Sequence, residues 1–177
     1  MTLLMKKDIL TEEESRFYIA ETILSIESVH RVNFIHRDLK PANIMIDRKR
    51  EPVVMDVGLA RHIDAESHMT QRGAIVGTPA YMSPEQSAGA HREVDVRSDV
   101  YSLGVILYEM LTGIPPYSRG DHMSVMYQHV QGKAAPPIEI NSSLPAGLSD
   151  LVMQAMAVDK TRRFQTMDEL RLALAAF

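Results

Sequence analysis

The sequence predicts a mainly helical domain of the α+β class that contains one small pair of β-strands. Three features support this class: a helical pattern of apolar residues over 12–31, an apolar helix from Ser98 to Leu111, and two short apolar strands between them. Of the 177 residues, 45% are hydrophobic and 24% are charged, which suits one domain with a hydrophobic core. No repeat or linker divides the chain, so we expect residues 1–177 to form one domain.

The first long helix is expected to span residues 12–31. Thr11 and Glu14 precede and open it with the capping-box pattern, a threonine followed three residues later by a glutamate. We expect Asn33 to end the helix. The apolar residues that share one helical face are Ile19, Ile23 and Ile26.

Two short strands are expected next, at residues 44–46 and 53–55, joined by the charged turn of residues 47–51. From Asp56 to Glu85 the sequence shows little periodicity. A loop of this length in a compact domain is usually functional or disordered, so we expect this segment to have a specific role.

The second long helix is expected to begin with Ser98 as its N-cap. Asp99 would then lie in the first turn, where the helix dipole favours a negative charge. The helix is apolar on all sides, which is typical of a helix buried at the centre of a domain. Gly113 is expected to close it, and the two prolines that follow prevent its continuation.

Three shorter amphipathic helices are expected in the last third of the chain. Gly132 would end the first of them, and Thr166 with Glu169 forms a capping box at the start of the third. The predicted apolar faces are Met123, Met126, Tyr127 and Val130, then Leu148, Leu151, Val152 and Ala155, then Leu170, Ala173, Leu174 and Phe177.

Charge and composition exclude several classes of function. A net charge of -4 gives no reason to expect a nucleic-acid partner or attraction to anionic lipid. The chain has no cysteine, which excludes disulfides, thiolate metal sites and a cysteine nucleophile. The most apolar run, residues 100–111, is too short to span a bilayer, and charged residues interrupt the apolar N-terminal residues. We therefore expect no membrane segment in this chain and a cytoplasmic location.

The five histidines outside the first helix and the motifs described next show no spacing typical of metal ligands. We expect their side chains to be solvated or packed rather than bound to a metal. These residues are His62, His68, His91, His122 and His129.

Residues with chemical potential concentrate in three motifs. Residues 36–46 read H-R-D-L-K-P-A-N-I-M-I and place Asp38 and Asn43 five positions apart. Residues 56–58 read D-V-G, and residues 77–85 read G-T-P-A-Y-M-S-P-E. In this order they resemble the catalytic loop, the D-F-G motif and the end of the activation segment of protein kinases. The resemblance covers essentially the whole chain and is to the C-terminal lobe of Ser/Thr protein kinases, including the eukaryotic-like type of bacteria.

This resemblance implies a role for each matching residue. Asp38 would accept the proton of a substrate serine or threonine, and Lys40 would stabilise the transferring phosphate, which favours a Ser/Thr over a Tyr kinase. Asn43 and Asp56 would bind Mg²⁺, and Met45 would lie under the adenine of ATP. For Met45 a simple place in the core is an equal alternative.

The resemblance also implies regulation on the activation segment. Arg37 would pair with a phosphate added there, with Thr70 as the first candidate for modification and Ser67 as the second. Thr78 resembles the threonine that contacts the catalytic loop. Val57 replaces the usual phenylalanine of D-F-G, a smaller side chain that we do not interpret as a sign of inactivity.

A buried ion pair is the last feature that the resemblance implies. In the family, the glutamate that ends the activation segment, here Glu85, pairs with an arginine of a D-P-x-x-R pattern. Residues 159–163 match this pattern with Lys160 in place of proline. Arg163 is therefore the expected partner, and Arg162 is the alternative.

No Gly-rich phosphate loop precedes the catalytic loop in this sequence, so we expect an N-terminal kinase lobe as a partner. We expect the isolated chain not to catalyse phosphoryl transfer at a useful rate. The alternative function is a non-catalytic kinase-lobe remnant that binds other proteins. A third possibility, a small-molecule kinase, is weakened by Lys40 and by the peptide-docking pattern of residues 77–85.

Overall fold

The structure, a computed structural model, describes residues 10–56, 61–62 and 78–177. The predictions for Val57, Ser67, Thr70 and His68 therefore lie outside the described residues. The helices are α1 Glu12–Arg31, α2 Pro84–Ser87, α3 Val96–Thr112, α4 His122–Gln131, α5 Pro137–Ile140, α6 Ala146–Ala155 and α7 Met167–Leu174. The strands are β1 Phe34–Ile35, β2 Ile44–Ile46, β3 Pro52–Val54 and β4 Arg61–His62, and 3₁₀-helices lie at Pro41–Asn43, Pro79–Tyr81 and Lys160–Arg162. The predicted class, mainly helical with a small strand pair at the catalytic loop, is confirmed.

Helix α1 forms as predicted, with both halves of its capping box. The Thr11 hydroxyl accepts from the Glu14 amide at 3.1 Å, and the Glu14 carboxylate accepts from the Thr11 amide at 3.0 Å. The predicted apolar face is buried. Asn33 follows the C-cap with a φ of 61°, a left-handed conformation that asparagine tolerates, and so ends the helix where expected.

Strands β2 and β3 pair antiparallel, with Met45 opposite Val53. The predicted second strand was placed one residue too late: β3 ends at Val54, although the Met55 amide still donates in register to the carbonyl of Asn43 at 2.7 Å. A second antiparallel pair, β1 with β4, was not predicted. Strands of two residues are too short to produce a readable periodicity.

Helix α3 is the centre of the core, and its predicted start was wrong. Asp95 is the N-cap and accepts from the Arg97 amide at 2.9 Å, while Ser98 lies inside the first turn. Aspartate and serine are comparable N-caps, and Ser98 is instead engaged by its hydroxyl, which donates to Glu85 at 2.6 Å. Gly113 ends the helix in the left-handed conformation, as predicted.

The other helices surround α3. Helices α1, α5 and α6 contact it, and α7 packs on α1 and α6. A Cβ atom on Gly104 would lie 2.9 Å from the Cβ of Ala155, so a glycine is needed for the close approach of α3 and α6. The face predicted for α6 is buried as expected.

Helix α4 ends at Gly132 as predicted, but its buried face differs from the predicted one. Met123 and Tyr127 are each 64% exposed, and the buried residues are Val125, Met126 and His129. The predicted face was assigned from apolar side chains alone. Because His129 is buried, the buried face of α4 is rotated relative to the predicted one.

Helix α7 begins at the predicted N-cap, where the Thr166 hydroxyl accepts from the Glu169 amide at 3.1 Å. The reciprocal half of the capping box is absent, because the Glu169 carboxylate accepts from the Gln165 amide instead. Leu170 and Leu174 are buried, whereas Phe177 is exposed. Among the described residues, no helix combines the length and the hydrophobicity that crossing a membrane requires.

Candidate active site

The loop that contains Asp38 is held by a carboxylate from the central helix. Asp99 accepts from the backbone amides of His36 and Arg37, each at 2.9 Å, and from the His30 ring at 2.8 Å. Arg37 has a φ of 69°, a left-handed conformation that costs a non-glycine residue about 1–2 kcal/mol. The predicted place of Asp99 in the first turn is confirmed, and its position explains how this strained loop is maintained.

His36 connects the catalytic loop to the strand that precedes Asp56. Its Nδ1 accepts from the Asp38 amide at 3.4 Å, so Nε2 carries the proton and donates to the Met55 carbonyl at 3.1 Å. The ring is fully buried. No separate role was predicted for His36, although its place two residues before Asp38 is the local signal for this contact.

The Asp38 carboxylate lies at the centre of the predicted catalytic residues and is only 6% exposed. One oxygen accepts from the Thr78 amide at 3.1 Å and from the Thr78 hydroxyl at 3.3 Å. The other accepts from Lys40 at 2.8 Å and from Asn43 at 3.3 Å. Lys40 also donates to the Thr78 hydroxyl at 3.0 Å. The structure thus brings together Asp38, Lys40, Asn43 and Thr78. The two that are farthest apart in sequence, Asp38 and Thr78, are separated by 40 residues.

Asn43 is oriented by the loop itself. Its amide nitrogen donates to the backbone carbonyl of Asp38 at 2.9 Å, which leaves the amide oxygen as the atom that could bind a metal ion. Asp56 follows Met55 with a φ of 63° and an exposed side chain. No group of three or more candidate metal ligands of the His, Cys, Asp or Glu type occurs within the described ranges.

Met45 is 38% exposed in this chain and lies outside the hydrophobic core that the described residues form. It lies directly opposite Val53 in the β2–β3 pair, and Val53 is also exposed. Opposed residues of an antiparallel pair share one face of the sheet, so these two side chains form a small apolar surface beside the catalytic loop.

The end of the activation segment is attached to the catalytic loop through helix α2. Ser83 caps this helix and forms a capping box with Gln86. The Gln86 side chain donates to the backbone carbonyl of Arg37 at 2.8 Å. The predicted phosphate partners of Arg37 lie outside the described residues, so that pairing stays a prediction.

Glu85 and Arg163 form the buried pair that the sequence predicted, with the two guanidinium NH₂ groups 2.9 and 2.8 Å from the two carboxylate oxygens. Burial alone would raise the pKa of Glu85, but the hydrogen bonds and charge of Arg163, together with the Ser98 hydroxyl, hold it below its usual value. Arg162, the alternative partner, is exposed.

Lys160, which stands where the family pattern has proline, makes two polar contacts. Its ammonium group donates to the Glu93 carbonyl at 2.6 Å and lies 3.3 Å from the Asp95 carboxylate. Burial would raise the pKa of Asp95, but hydrogen bonds from Arg97 and the charge of Lys160 lower it. The segment before Arg163 is therefore fixed to the start of α3 by polar contacts.

Tyr81 and Glu109 form a polar contact that the sequence analysis missed. The tyrosine hydroxyl donates to the Glu109 carboxylate at 2.7 Å, and the Ser102 hydroxyl donates to the Tyr81 carbonyl at 2.7 Å. Burial raises the pKa of Glu109 despite the hydrogen bond from Tyr81. The available signal was Glu109 itself, a single carboxylate in an otherwise apolar run.

Comparison with known proteins agrees with this geometry. The family model described as "Protein kinase domain" matches residues 1–172. The chain is 43% identical over 166 residues to the serine/threonine-protein kinase PknB of Mycobacterium tuberculosis, a match that covers 93% of this chain and 26% of the relative. It is 38% identical over 170 residues to the probable serine/threonine-protein kinase CPE1738 of Clostridium perfringens, covering 93% of this chain and 24% of the relative.

The PknB of Mycolicibacterium smegmatis is likewise 43% identical over 157 residues, with 88% of this chain and 25% of the relative covered. The chain therefore spans about a quarter of the length of the curated relatives that it matches. With a family model that covers nearly all of its residues and a catalytic loop arranged around Asp38, this chain belongs to the protein kinase family, whose members generally use ATP and divalent metal ions.

Proposed function

We propose that this chain is the catalytic lobe of a protein kinase that transfers the γ-phosphate of ATP to serine or threonine hydroxyls of proteins. The strongest support is the Asp38 carboxylate, which is buried and oriented by Lys40, Asn43 and Thr78. The names of the relatives, serine/threonine-protein kinases, favour the same substrate class. A binding module has no chemical use for this arrangement.

In the proposed reaction Asp38 orients the incoming hydroxyl and takes its proton. The hydroxyl oxygen forms a bond to the γ-phosphorus, the bond from that phosphorus to the β–γ bridging oxygen breaks, and ADP leaves. Lys40, which contacts both Asp38 and Thr78, places a positive charge beside the transferring group. Most of the acceleration comes from this positioning and electrostatic stabilisation.

The residues fit a magnesium–nucleotide complex. The Asn43 amide oxygen and the exposed Asp56 carboxylate are hard oxygen donors, and Mg²⁺ is usually held by few protein groups together with substrate phosphates. When bound, the metal neutralises phosphate charge. The apolar face of Met45 and Val53 suits the flat surface of an adenine ring.

We also propose that an N-terminal kinase lobe completes the nucleotide site. The residues described above form one wall of that site. A Gly-rich loop and a strand lysine on the opposite side would hold the phosphates in line and exclude water.

The test is Asp38→Asn in the natural protein with both lobes. We expect kcat to fall about 10²–10⁴-fold, because general-base catalysis contributes a factor of this size, with the circular dichroism spectrum unchanged. Asp150→Asn, the same change at an exposed residue of α6, is the matched control and should leave kcat unchanged. Transfer by Asp38→Asn at the wild-type rate would contradict the assignment, and an inactive wild-type protein would favour the non-catalytic remnant.

A further inference from the structure

A fully buried histidine, His129, belongs to α4, the helix that packs against the end of the activation segment. The Nδ1 of His129 is 2.8 Å from the hydroxyl of Tyr101 in α3. The imidazole also makes edge-on contacts with the rings of Tyr117, at a centroid distance of 4.7 Å, and of Tyr101, at 5.7 Å. Neither the catalytic mechanism nor the predicted binding residues account for this polar cluster.

The protonation state of His129 follows from its burial. Burial lowers its pKa to about 4, although the backbone carbonyls of Ala80 and Pro79 favour the charged form. Burial also raises the pKa of Tyr101, so the tyrosine hydroxyl keeps its proton and can donate to Nδ1. Nε2 then carries the ring proton, and it makes no direct hydrogen bond within the described part of the chain.

The position of His129 connects it to the catalytic carboxylate. Helix α4, which carries His129, packs against the Pro79–Tyr81 3₁₀-helix, and the carbonyls of Pro79 and Ala80 influence the imidazole without forming a hydrogen bond to Nε2. Thr78 directly precedes this turn and contacts both Asp38 and Lys40. A shift of the turn therefore moves the residue that orients the catalytic base.

Tyr101 joins a second set of contacts on its other side. The guanidinium of Arg163 lies over the Tyr101 ring at 4.9 Å from the centroid, and Arg163 holds Glu85. Tyr101 thus contacts His129 through its hydroxyl and the buried ion pair through its ring. Removing the hydroxyl leaves the contact between the ring and Arg163 in place.

We propose that His129 is a positioning residue of the kinase reaction: bonded to Tyr101, and carried by a helix that packs against the Pro79–Tyr81 turn, it supports that turn, and through Thr78 it positions the protein substrate at Asp38. The kinetic part of this inference rests on the proposed function. The competing explanation is that His129 and Tyr101 only fill the core.

The double variant Tyr101→Phe with His129→Leu separates these explanations in the natural full-length protein. Replacing both hydrogen-bond partners by apolar groups of similar shape is often nearly neutral for stability. We expect a melting temperature near that of the wild type, a KM for the protein substrate raised about tenfold, and a KM for ATP changed by less than about twofold. A residue that only fills the core would not separate the two KM values.

Hydrogen exchange gives a second readout that needs no enzymatic activity. The amides of Tyr81 and Met82 donate to the carbonyls of Thr78 and Pro79, at 3.0 and 3.4 Å. We expect these amides to exchange at least about fivefold faster in the double variant, with the α6 amides unchanged. Tyr108→Phe is the matched control, because it removes one hydroxyl from the same helix, donated to Ala135 at 3.0 Å, without touching His129.

A double variant with wild-type KM values and wild-type exchange would overturn the proposal. If the double variant does not fold, Tyr101→Phe alone is judged by the same two readouts and the same criteria. If the wild-type protein transfers no phosphate, the proposed function fails by itself, and the exchange of Tyr81 and Met82 still decides the role of His129.

Discussion

Arg163 shows how a single buried charge can be made compatible with a protein core. A guanidinium group has five N–H donors, and here each of them has an acceptor. Because no donor is stranded, the pair with Glu85 can remain buried, and it fixes α2 to the segment before α7. The acceptors are the two oxygens of Glu85 and the carbonyls of Arg97, Ala157 and Val158.

At this scale we predict that Arg163→Met lowers the free energy of unfolding by about 3–5 kcal/mol, because Glu85 would be left as a buried charge without its partner. Urea denaturation measures the change. Arg162→Met, the same substitution at the exposed neighbouring residue, should cost less than about 1 kcal/mol. Equal losses in the two variants would show that the buried pair has no special role.

The same pair predicts a pH dependence. In the wild type the pKa of Glu85 is lowered, so its contribution to stability is present above the ordinary glutamate pKa of 4.5 and is lost as the pH falls through the lowered value. Without Arg163, burial is opposed only by the Ser98 hydroxyl and a backbone hydrogen bond, so the pKa of Glu85 is higher in the variant than in the wild type and protonation costs the variant less. The stability difference between wild type and Arg163→Met should therefore shrink between pH 7 and pH 4.

At the scale of elements, the N-terminal turn of α3 organises the catalytic loop. Its carboxylate at position 99 receives two backbone amides and a histidine, while Ser98 holds Glu85 from the same turn. A rigid helix that carries these groups at adjacent positions keeps the catalytic loop and the end of the activation segment in register.

We predict that Asp99→Asn destabilises the protein by about 1–3 kcal/mol and reduces phosphoryl transfer. Asparagine offers one acceptor oxygen where three donors converge, so at least one backbone amide is left unpaired in the core. Asp95→Asn, made one turn earlier, should cost less than about 1 kcal/mol because asparagine is also a good N-cap. Denaturation and transfer rates of both variants check this; an Asp99→Asn protein with wild-type values would contradict it.

The elements also show which parts of the fold were accessible from sequence. Helix α1 was predicted in full because its capping box and its apolar face are local signals. The start of α3 was missed because Asp95 and Ser98 are both N-cap residues, and the choice depends on Glu85, 13 residues from Ser98. The buried face of α4 was predicted wrongly, because a pattern of apolar residues does not reveal that a histidine is buried.

The candidate site likewise contains local contacts that the sequence predicts and long-range contacts that it does not. The spacing of Asp38, Lys40 and Asn43 is local, and their side chains meet as the motif suggests. The contact of Asp99 with the loop spans more than 60 residues and the contact of Tyr101 with His129 spans 28. Contacts of this range depend on how helices pack, so no pattern within a single element predicts them.

At the scale of the whole molecule, the described residues combine the buried Asp38 carboxylate with an exposed apolar face formed by Met45 and Val53. We predict that the 177-residue chain alone transfers phosphate at less than about 1% of the rate of a protein with both kinase lobes. The reason is that phosphates held on one side are neither aligned nor shielded from water.

The measurement is a phosphotransfer assay on both proteins at equal concentration, with Asp38→Asn versions of each as the background. Activity of the isolated chain within about tenfold of the two-lobed protein would show that the second lobe contributes little to positioning.

The long-range contacts of Asp99 also affect the order in which this protein folds. The amides of His36 and Arg37 that donate to Asp99 stabilise the left-handed conformation of Arg37, so we expect the catalytic loop to reach this conformation only after α3 has docked. Closing a chain segment of this length costs conformational entropy before any bond forms, and contacts of large sequence separation slow folding. Helix α1 can form early from its own capping signals, whereas the catalytic residues reach their arrangement late, so a partly folded molecule has helices before it has an active site.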